Sequence, residues 1–238
     1  MHDFWYGLLT FSGIAVSAFL WSRMIRQRTE MVVLYVFGLL GALLGAKVGF
    51  VLAELPFILH DNDFLAQLLA GKTVLGALMG GYAGVESGKK LISFTAPTGD
   101  TFALVVPASL VLGRLGCVLH GCCGGVVCEP AWWTMLDGTG LSRWPAPWTE
   151  AAFNAFTAAV LFALWRRQYL RGQLFHVYLM SYGLFRFAHE FLRESHRITA
   201  WLSPYQMLAF ILFIFGLIRF LQRSVNHPRL SVMSETVR

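Results

Sequence analysis

The stretch LGRLGCVLHGCCGG, residues 112–125, places one arginine, one histidine and three cysteines in a glycine-rich segment of an otherwise apolar chain. Hydrophobic residues make up 56% of the 238 positions and charged residues 13%, with a mean hydropathy of +0.59, whereas soluble domains are about 25% charged. This composition predicts an all-α integral membrane protein. Because ionisable side chains are costly at membrane depth, their concentration in residues 112–125 indicates a functional site.

Long apolar windows on both sides of this stretch predict about seven transmembrane helices. Their expected ranges are 4–21, 31–53, 74–85, 101–113, 148–165, 173–188 and 201–220. The third and fourth are short and contain glycines and Pro107, so we expect interrupted helices that wall a site. Gly80, Gly81 and Gly84 are typical of close helix packing. The pattern predicts one polytopic domain over residues 1–223 and a polar cytoplasmic tail over 224–238.

The basic residues predict how these helices are oriented. Most of the 19 lysines and arginines follow the first, third, fifth and seventh ranges. The positive-inside rule assigns these loops to the cytoplasm, so we expect the N-terminus outside and the C-terminus inside. This distribution accounts for the net charge of +6 without a nucleic-acid partner. The cations outside those loops should have partners: Lys47, Lys72, Arg114, Arg143, Arg186, Arg193 and Arg197.

Two interpretations of these unexplained arginines remain open. Helical i, i+4 spacing allows Arg186 to pair with Glu190, which favours a structural ion-pair network. Alternatively, Arg114 and Arg186 converge on a lipid phosphate, because the planar guanidinium can donate two hydrogen bonds to a phosphate group.

Four segments in sequence order resemble the prolipoprotein diacylglyceryl transferase family. SYGLFRFAHEFLRE (181–194) is similar to its C-terminal signature, and residues 109–125 resemble its central GRxxNFxNGExxG signature. GALLGAKVGFVL (41–52) resembles a GARLGYV-like segment, with Lys47 in place of arginine, and LSPYQMLAF (202–210) resembles the last-helix motif, including Gln206. The resemblance implies a multi-pass enzyme of the bacterial inner membrane with its site facing the periplasm.

The family's activity is implied by the same resemblance. These enzymes move the diacylglyceryl group of phosphatidylglycerol onto a cysteine thiol of a lipoprotein signal segment, and glycerol phosphate leaves. The expected partners are therefore a phospholipid donor, and a lipoprotein signal segment or another membrane acceptor. Arg114 and Arg186 match family arginines and are assigned to catalysis. The residues assigned to substrate binding are Gly113, Gly125, Tyr182, Glu190, Arg193, Gln206, Lys47 and Lys72.

The chain also departs from the family pattern. Cys117, His120 and Cys122 stand where the family has asparagine, asparagine and glutamate, and no histidine occurs in residues 74–80, where the family has His-Gly-Gly. Retained arginines beside altered neighbours imply that phosphate binding is kept while the acceptor chemistry changes. We expect His120 to act as the general base, since histidine titrates near neutral pH. Cys117 and Cys122 are expected to line the acceptor side.

All four cysteines, Cys117, Cys122, Cys123 and Cys128, lie within twelve positions. A covalent relay, a disulfide on the oxidising side and a metal site are open interpretations, as is plain helix packing. No CxxC pair is present, so the spacing is not that of a structural zinc site, and we assign no metal or cofactor. The competing functions are a thiol-redox or metal-handling membrane protein, and a lipid transporter built on the same scaffold.

Overall fold

The computed structural model describes residues 2–24, 29–59, 62–199 and 201–226, which are mostly helical. The α-helices are α1 (His2–Met24), α2 (Thr29–Ile58), α3 (Phe64–Ala70), α4 (Val74–Leu91), α5 (Gly99–His120), α6 (Ala146–Arg166), α7 (Leu174–His189) and α8 (Pro204–Asn226). A 3₁₀ turn, Glu190–Leu192, follows α7 directly. The loop between α5 and α6 holds a small antiparallel hairpin of β1 (Met135–Leu136) and β2 (Ser142–Arg143).

Three described helices are long and apolar enough to cross a bilayer: α2, α5 and the Pro204–Ser224 part of α8. The α3–α4 pair would make a fourth span, bent by 51° at its break. The helical membrane class expected from composition is therefore confirmed. The expected interruptions at the glycines and at Pro107 are wrong, because α4 is continuous over residues 74–85 and α5 runs through Pro107; the break lies before α4, between Ala70 and Val74. Packed neighbours allow a membrane helix to tolerate such a proline.

Glycines bring α2 and α4 into backbone contact. Gly41, Gly45 and Gly49 on α2 face Gly76, Gly80 and Gly84 on α4. A Cβ atom added at Gly45 would lie 2.7 Å from the Cα of Gly80, and the reverse addition would be equally close. Real Cβ atoms do not approach other atoms so closely, so only glycine fits both positions. The close packing predicted for Gly80 and Gly84 is confirmed, whereas a Cβ added at Gly81 would make an ordinary 3.4 Å contact with the Cβ of Ala42.

The buried core surrounds α7. Tyr178, Leu179 and Tyr182 of this helix are fully buried among apolar side chains of α4, α5, α6 and α8. This packing aligns the C-terminal ends of α5 and α7 with the N-terminal ends of α6 and α8. Polar side chains from these four helix ends therefore meet at one end of the helices.

Candidate active site

Glu150, in the first turns of α6, is fully buried and lies among basic side chains. Arg114 Nη2 of α5 lies 2.5 Å from its Oε2, and Arg193 Nη1, after α7, lies 3.1 Å from its Oε1. His189 Nδ1 is 3.9 Å from the same Oε1. A buried carboxylate is tolerated only when it is paired and hydrogen-bonded. Glu150 therefore ties three separate segments together.

A second buried ion pair lies beside the first. Arg186 pairs with Glu190 one helical turn later, as the i, i+4 spacing predicts, and both side chains are buried. Arg193 links the two pairs, because its Nε lies 4.0 Å from Glu190 Oε2. The guanidinium of Arg186 also stacks over Tyr205, 5.9 Å from the ring centroid. The predicted pairing of Arg186 with Glu190 is confirmed.

We call this group the charge cluster; it consists of Arg114, Glu150, Arg186, Glu190 and Arg193. Arg114 and Arg186 both act electrostatically on Glu150, so the structure brings the two predicted catalytic arginines to one place. The cluster holds more guanidinium groups than carboxylates. It is therefore an ion-pair network with positive charge left to attract an anion.

Polar and aromatic side chains support the cluster from the core side. Tyr178 Oη donates a 2.8 Å hydrogen bond to Asn154 Oδ1, and Asn154 Nδ2 donates to the backbone oxygen of Glu150 at 2.8 Å. Tyr182 is fully buried, with its hydroxyl beside Arg114. These contacts fix the backbone of α6 where Glu150 points at the arginines.

The α5–α6 loop supports the cluster from the other side. Gly125 forms an antiparallel bridge with Arg193, and its N–H donates to the carbonyl of Trp144 at 2.9 Å. A Cβ added at Gly125 would lie 2.9 Å from the Cβ of Trp144, so glycine permits this approach. By contrast, a Cβ added at Gly113 would meet no atom within 4 Å. Gly125 thus positions Arg193, whereas Gly113 borders open space.

Arg143 fastens this loop to the segment after α7. It forms ion pairs with Asp137 and Glu194, and its Nη1 donates to the backbone oxygen of Gly125 at 3.2 Å. Hydrogen bonds from Thr139 and Arg143 hold the pKa of Asp137 well below its usual value, and Asp137 in turn raises the pKa of Arg143. We call Asp137, Arg143 and Glu194 the loop clamp.

Three cysteines meet at the C-terminal end of α5. The Sγ atoms of Cys117, Cys122 and Cys123 all lie within 4.8 Å of one another, and all four cysteines of the chain are free thiols. The chain reverses through left-handed residues at Gly121 (φ +68°) and Cys123 (φ +64°). Hydrogen bonding with the Cys117 and Cys122 thiols lowers the pKa of the Cys123 thiol, and the positive charges of Arg114 and Arg193 add to this effect.

The remaining predicted site residues lie around this core. Lys47 Nζ donates to the backbone oxygen of Leu68 at 3.0 Å and so caps α3, while Lys72 is exposed in the break between α3 and α4. Gln206 is fully buried, and its Oε1 accepts from the N–H of Ser203 at 2.8 Å at the start of α8. His120 is the partly buried last residue of α5. Substrate roles for these residues stay predictions.

Sequence reasoning missed Glu150, although a signal was present. It is the only charged residue in the predicted span 148–165, and an isolated acid at membrane depth indicates a site. His189 was also missed; its Nε2 accepts a 3.3 Å hydrogen bond from Trp144 Nε1. His196 Nδ1 lies 2.8 Å from Glu54 Oε2, a contact across 142 positions that no local pattern predicts.

Two neighbouring cavities lie among the helices; the larger is at the end opposite the charge cluster, and the smaller extends from there along the helices to Val74 and Leu110. One of about 240 Å³ is mostly apolar, and a neighbouring one of about 500 Å³ is more polar. They share the lining residues Tyr82, Glu86, Lys89, His176 and Arg223. The basic helix ends of α4 and α8 therefore surround a separate region of the molecule.

Comparison with known proteins identifies the family. The family model described as prolipoprotein diacylglyceryl transferase matches residues 3–222. A relative from Geobacter sulfurreducens, named phosphatidylglycerol–prolipoprotein diacylglyceryl transferase, is 32% identical over 90% of this chain and 88% of its own length. Proteins of the same name from Aeromonas salmonicida and Paramagnetospirillum magneticum are each 30% identical over 80% of this chain, and 73% and 76% of their own lengths. The chain therefore belongs to the prolipoprotein diacylglyceryl transferase family.

Proposed function

We propose that the protein transfers the diacylglyceryl group of phosphatidylglycerol to a cysteine thiol of a prolipoprotein, with release of glycerol phosphate. The observation that carries this proposal is the charge cluster, in which Arg114 pairs with Glu150, Arg186 pairs with Glu190 and Arg193 links the two pairs, so that guanidinium groups outnumber carboxylates. The names of the relatives supply the donor and the acceptor. Family membership and the positive site agree on a reaction whose leaving group is a phosphate.

The arginines act on that leaving group. The thiol sulfur attacks a glyceryl carbon, the bond from that carbon to the phosphate oxygen breaks, and negative charge develops on the departing phosphate. Arg114 and Arg186 stabilise this charge with preorganised donors. Glu150 and Glu190 hold the two guanidinium groups in a fixed orientation before the lipid binds.

Two histidines are candidates for removing the thiol proton. His120 lies at the end of α5, with Cys117 and Cys122 lining the acceptor side. His196 lies elsewhere, and its ring is oriented by Glu54 and stacks on Phe57 at a centroid distance of 4.8 Å. A histidine oriented by a carboxylate is the arrangement found in many general bases. We expect the alanine variant of the acting base to lose transfer at neutral pH.

The substrate-binding assignments follow from position. Glu190 and Arg193 belong to the charge cluster, Tyr182 lies beside its Arg114, and Gln206 lies at the adjacent start of α8. We infer that these residues shape the donor site. Gly113 borders open space where the lipid approaches, and Gly125 keeps Arg193 in place. Lys47, on α2, contacts the end of α3, and Lys72 lies in the break between α3 and α4, so both would contact the lipid phosphate only at its entrance.

We infer a seven-span topology in the bacterial inner membrane, with the N-terminus outside, the C-terminus inside and the charge cluster facing the periplasm. One domain over residues 1–223 and a cytoplasmic tail over 224–238 complete this model. Its support is the distribution of cations: Lys89, Lys90, Arg166 and Arg223 lie at helix ends opposite the cluster. Reporter fusions after α4, α6 and α8 should all indicate the cytoplasm, and a periplasmic signal at any of them would contradict the model.

The test of the function is transfer in a defined membrane. The purified protein in nanodiscs containing phosphatidylglycerol is incubated with a signal peptide that carries a cysteine, or with the same peptide carrying serine. Mass spectrometry should detect a diacylglyceryl group on the cysteine peptide alone, together with released glycerol phosphate. Lipid consumption with an unmodified cysteine peptide would contradict the proposed acceptor, and no consumption would contradict the transferase itself.

Arginine variants connect this activity to the charge cluster. Arg114→Gln should lower transfer by about 10²–10³-fold, the scale of a lost transition-state donor. Arg114→Lys should retain part of the activity, because lysine keeps the charge but not the two-donor fork. Arg166→Gln, an exposed arginine at the end of α6, is the matched control and should transfer normally. Equal activity in Arg114→Gln and Arg166→Gln would exclude the cluster from catalysis.

A further inference from the structure

The cysteine group at the end of α5 has the geometry of a metal site. Its three Sγ atoms lie within 4.8 Å of one another, and those of Cys122 and Cys123 are 3.6 Å apart. Sulfur ligands at about 2.3 Å from one zinc ion in a tetrahedral arrangement are about 3.8 Å apart. The observed separations bracket this value, so small side-chain rotations bring all three sulfurs to one ion.

We propose that Cys117, Cys122 and Cys123 bind a zinc ion whose fourth coordination position takes the thiol of the acceptor cysteine. Catalytic zinc sites use three protein ligands and keep a fourth position for water or substrate, unlike closed four-ligand structural sites. Thiolates select soft ions such as zinc and Cu(I) over magnesium or calcium. The inference rests on the proposed transfer to a thiol and names the group that activates it.

The position of the cysteines fits this role. Cys117 is buried, whereas Cys123 is exposed, so the three sulfurs lie between the protein interior and the outside. Arg114 precedes Cys117 by one helical turn, which puts both side chains on the same side of α5. A bound acceptor sulfur would therefore lie next to the guanidinium proposed to hold the leaving phosphate.

Coordination to zinc would also activate the acceptor thiol. A thiol that coordinates zinc gives up its proton readily, here to the histidine proposed as the general base. The resulting sulfur attacks the glyceryl carbon, a carbon–sulfur bond forms as the carbon–oxygen bond breaks, and glycerol phosphate leaves toward Arg114. Zinc is neither oxidised nor reduced.

The first test measures the metal itself. The full-length protein, purified under reducing conditions in detergent and supplied with Zn²⁺ alone, should retain about one ion per chain after desalting. Cys122→Ser and Cys123→Ser should weaken binding by more than about tenfold. Cys128→Ser, which removes the one cysteine outside the group, is the matched control and should bind normally. No binding above the level of the Cys122→Ser variant would overturn the proposal.

The second test asks whether the acceptor thiol reaches the ion. Co²⁺ loaded in place of zinc gives sulfur-to-cobalt charge-transfer and visible d–d absorption bands that report its ligands. The cysteine signal peptide should change these bands, while the serine peptide should leave them unchanged. An identical response to both peptides would overturn the role of the fourth position, whatever the affinity for metal.

A third measurement separates this inference from the function on which it rests. Transfer by the chelator-treated protein should fall and return on addition of Zn²⁺. Full transfer by a metal-free protein would overturn the zinc site and leave the transferase intact. Selective binding of Cu(I) without zinc, or a Cys117–Cys122 disulfide that prevents metal binding, would also overturn it. Zinc binding with a peptide-dependent cobalt spectrum, but with no lipid consumed, would support the site and contradict the proposed function.

Discussion

The α2–α4 glycine interface and the charge cluster are held together by opposite means. At the interface, Gly45 and Gly80 bring two backbones into direct contact because neither residue has a side chain. In the cluster, Arg114 and Glu150 are large charged side chains removed from water, and each is stable there only because the other is present. The interface is stable because glycine has no side chain, whereas the cluster is stable because each buried charge has a partner of opposite charge.

This difference determines how each region responds to substitution. Adding one methyl group to the interface creates a clash that the whole helix pair must relieve. Removing one charge from the cluster leaves an unpaired charge in a buried site. The first change should affect stability without touching the chemistry, while the second should affect both.

The largest effect is expected from Glu150→Gln. Glutamine keeps the shape of the side chain but leaves Arg114 and Arg193 without their shared counter-charge, which should cost about 3–5 kcal/mol of unfolding free energy. Transfer should be lost even in the folded fraction, because the arginines are no longer oriented. Denaturation in detergent, followed by tryptophan fluorescence, measures the stability. Wild-type stability would show that the ion pairs contribute nothing to the fold.

Gly80→Ala should destabilise the protein without altering its chemistry. The added Cβ meets the Cα of Gly45, and overpacking of this kind costs about 1–3 kcal/mol. Activity per folded molecule should remain at the wild-type level, since α4 contributes no residue to the charge cluster. Thermal unfolding and the transfer assay together separate these two effects.

Gly113→Ala is the matched helical substitution, because its Cβ would meet no atom within 4 Å. Alanine is favoured over glycine in a helix by about 1 kcal/mol, so this variant should be slightly more stable than the wild type. Any loss of transfer would then indicate that the added methyl group obstructs the lipid at this surface. If both glycine variants are equally destabilised, the contrast between packed and open glycines fails.

The sequence could predict the interface better than the cluster for a physical reason. Glycines four residues apart, as at Gly76, Gly80 and Gly84, form a local pattern that places all of them on one face of a helix. The i, i+4 pair of Arg186 and Glu190 is local in the same sense. The helical ranges could be predicted because runs of apolar residues are visible directly in the sequence. The short helix α3 could not be predicted in this way, and Pro107 does not break α5 as expected.

The rest depended on contacts between distant segments. Glu150 could be suspected as a lone acid in an apolar span, but its three basic neighbours come from α5, α7 and the segment that follows. His196 and Glu54 are brought together only by the fold. The cysteine spacing left a metal site and a disulfide equally open, because the turn at Gly121 that gathers the thiols is not encoded in the spacing.

The smallest effect is expected at the loop clamp, which repeats the charge pairing of the cluster near the surface. Asp137→Asn removes a partner of Arg143, and ion pairs near the surface contribute little because water and salt screen them. The variant should therefore unfold at a slightly lower temperature at pH 7, with transfer little changed. Glu129→Gln, an exposed acid in the same loop, is the control and should match the wild type.

The pH dependence of the unfolding temperature tests whether Asp137 stabilises the fold through its charge. Because the folded pKa of Asp137 lies below its unfolded value of about 3.9, the carboxylate stabilises the fold above that value and loses its contribution as the pH falls toward the folded pKa. The difference in unfolding temperature between wild type and Asp137→Asn should thus be constant from pH 8 to about pH 5 and shrink below about pH 4. A difference that persists at lower pH would mean that Asp137 acts through its hydrogen bonds to Thr139 rather than through its charge. In that case the pairing of opposite charges would stabilise the charge cluster, where water is excluded around Glu150, but not the loop clamp near the surface.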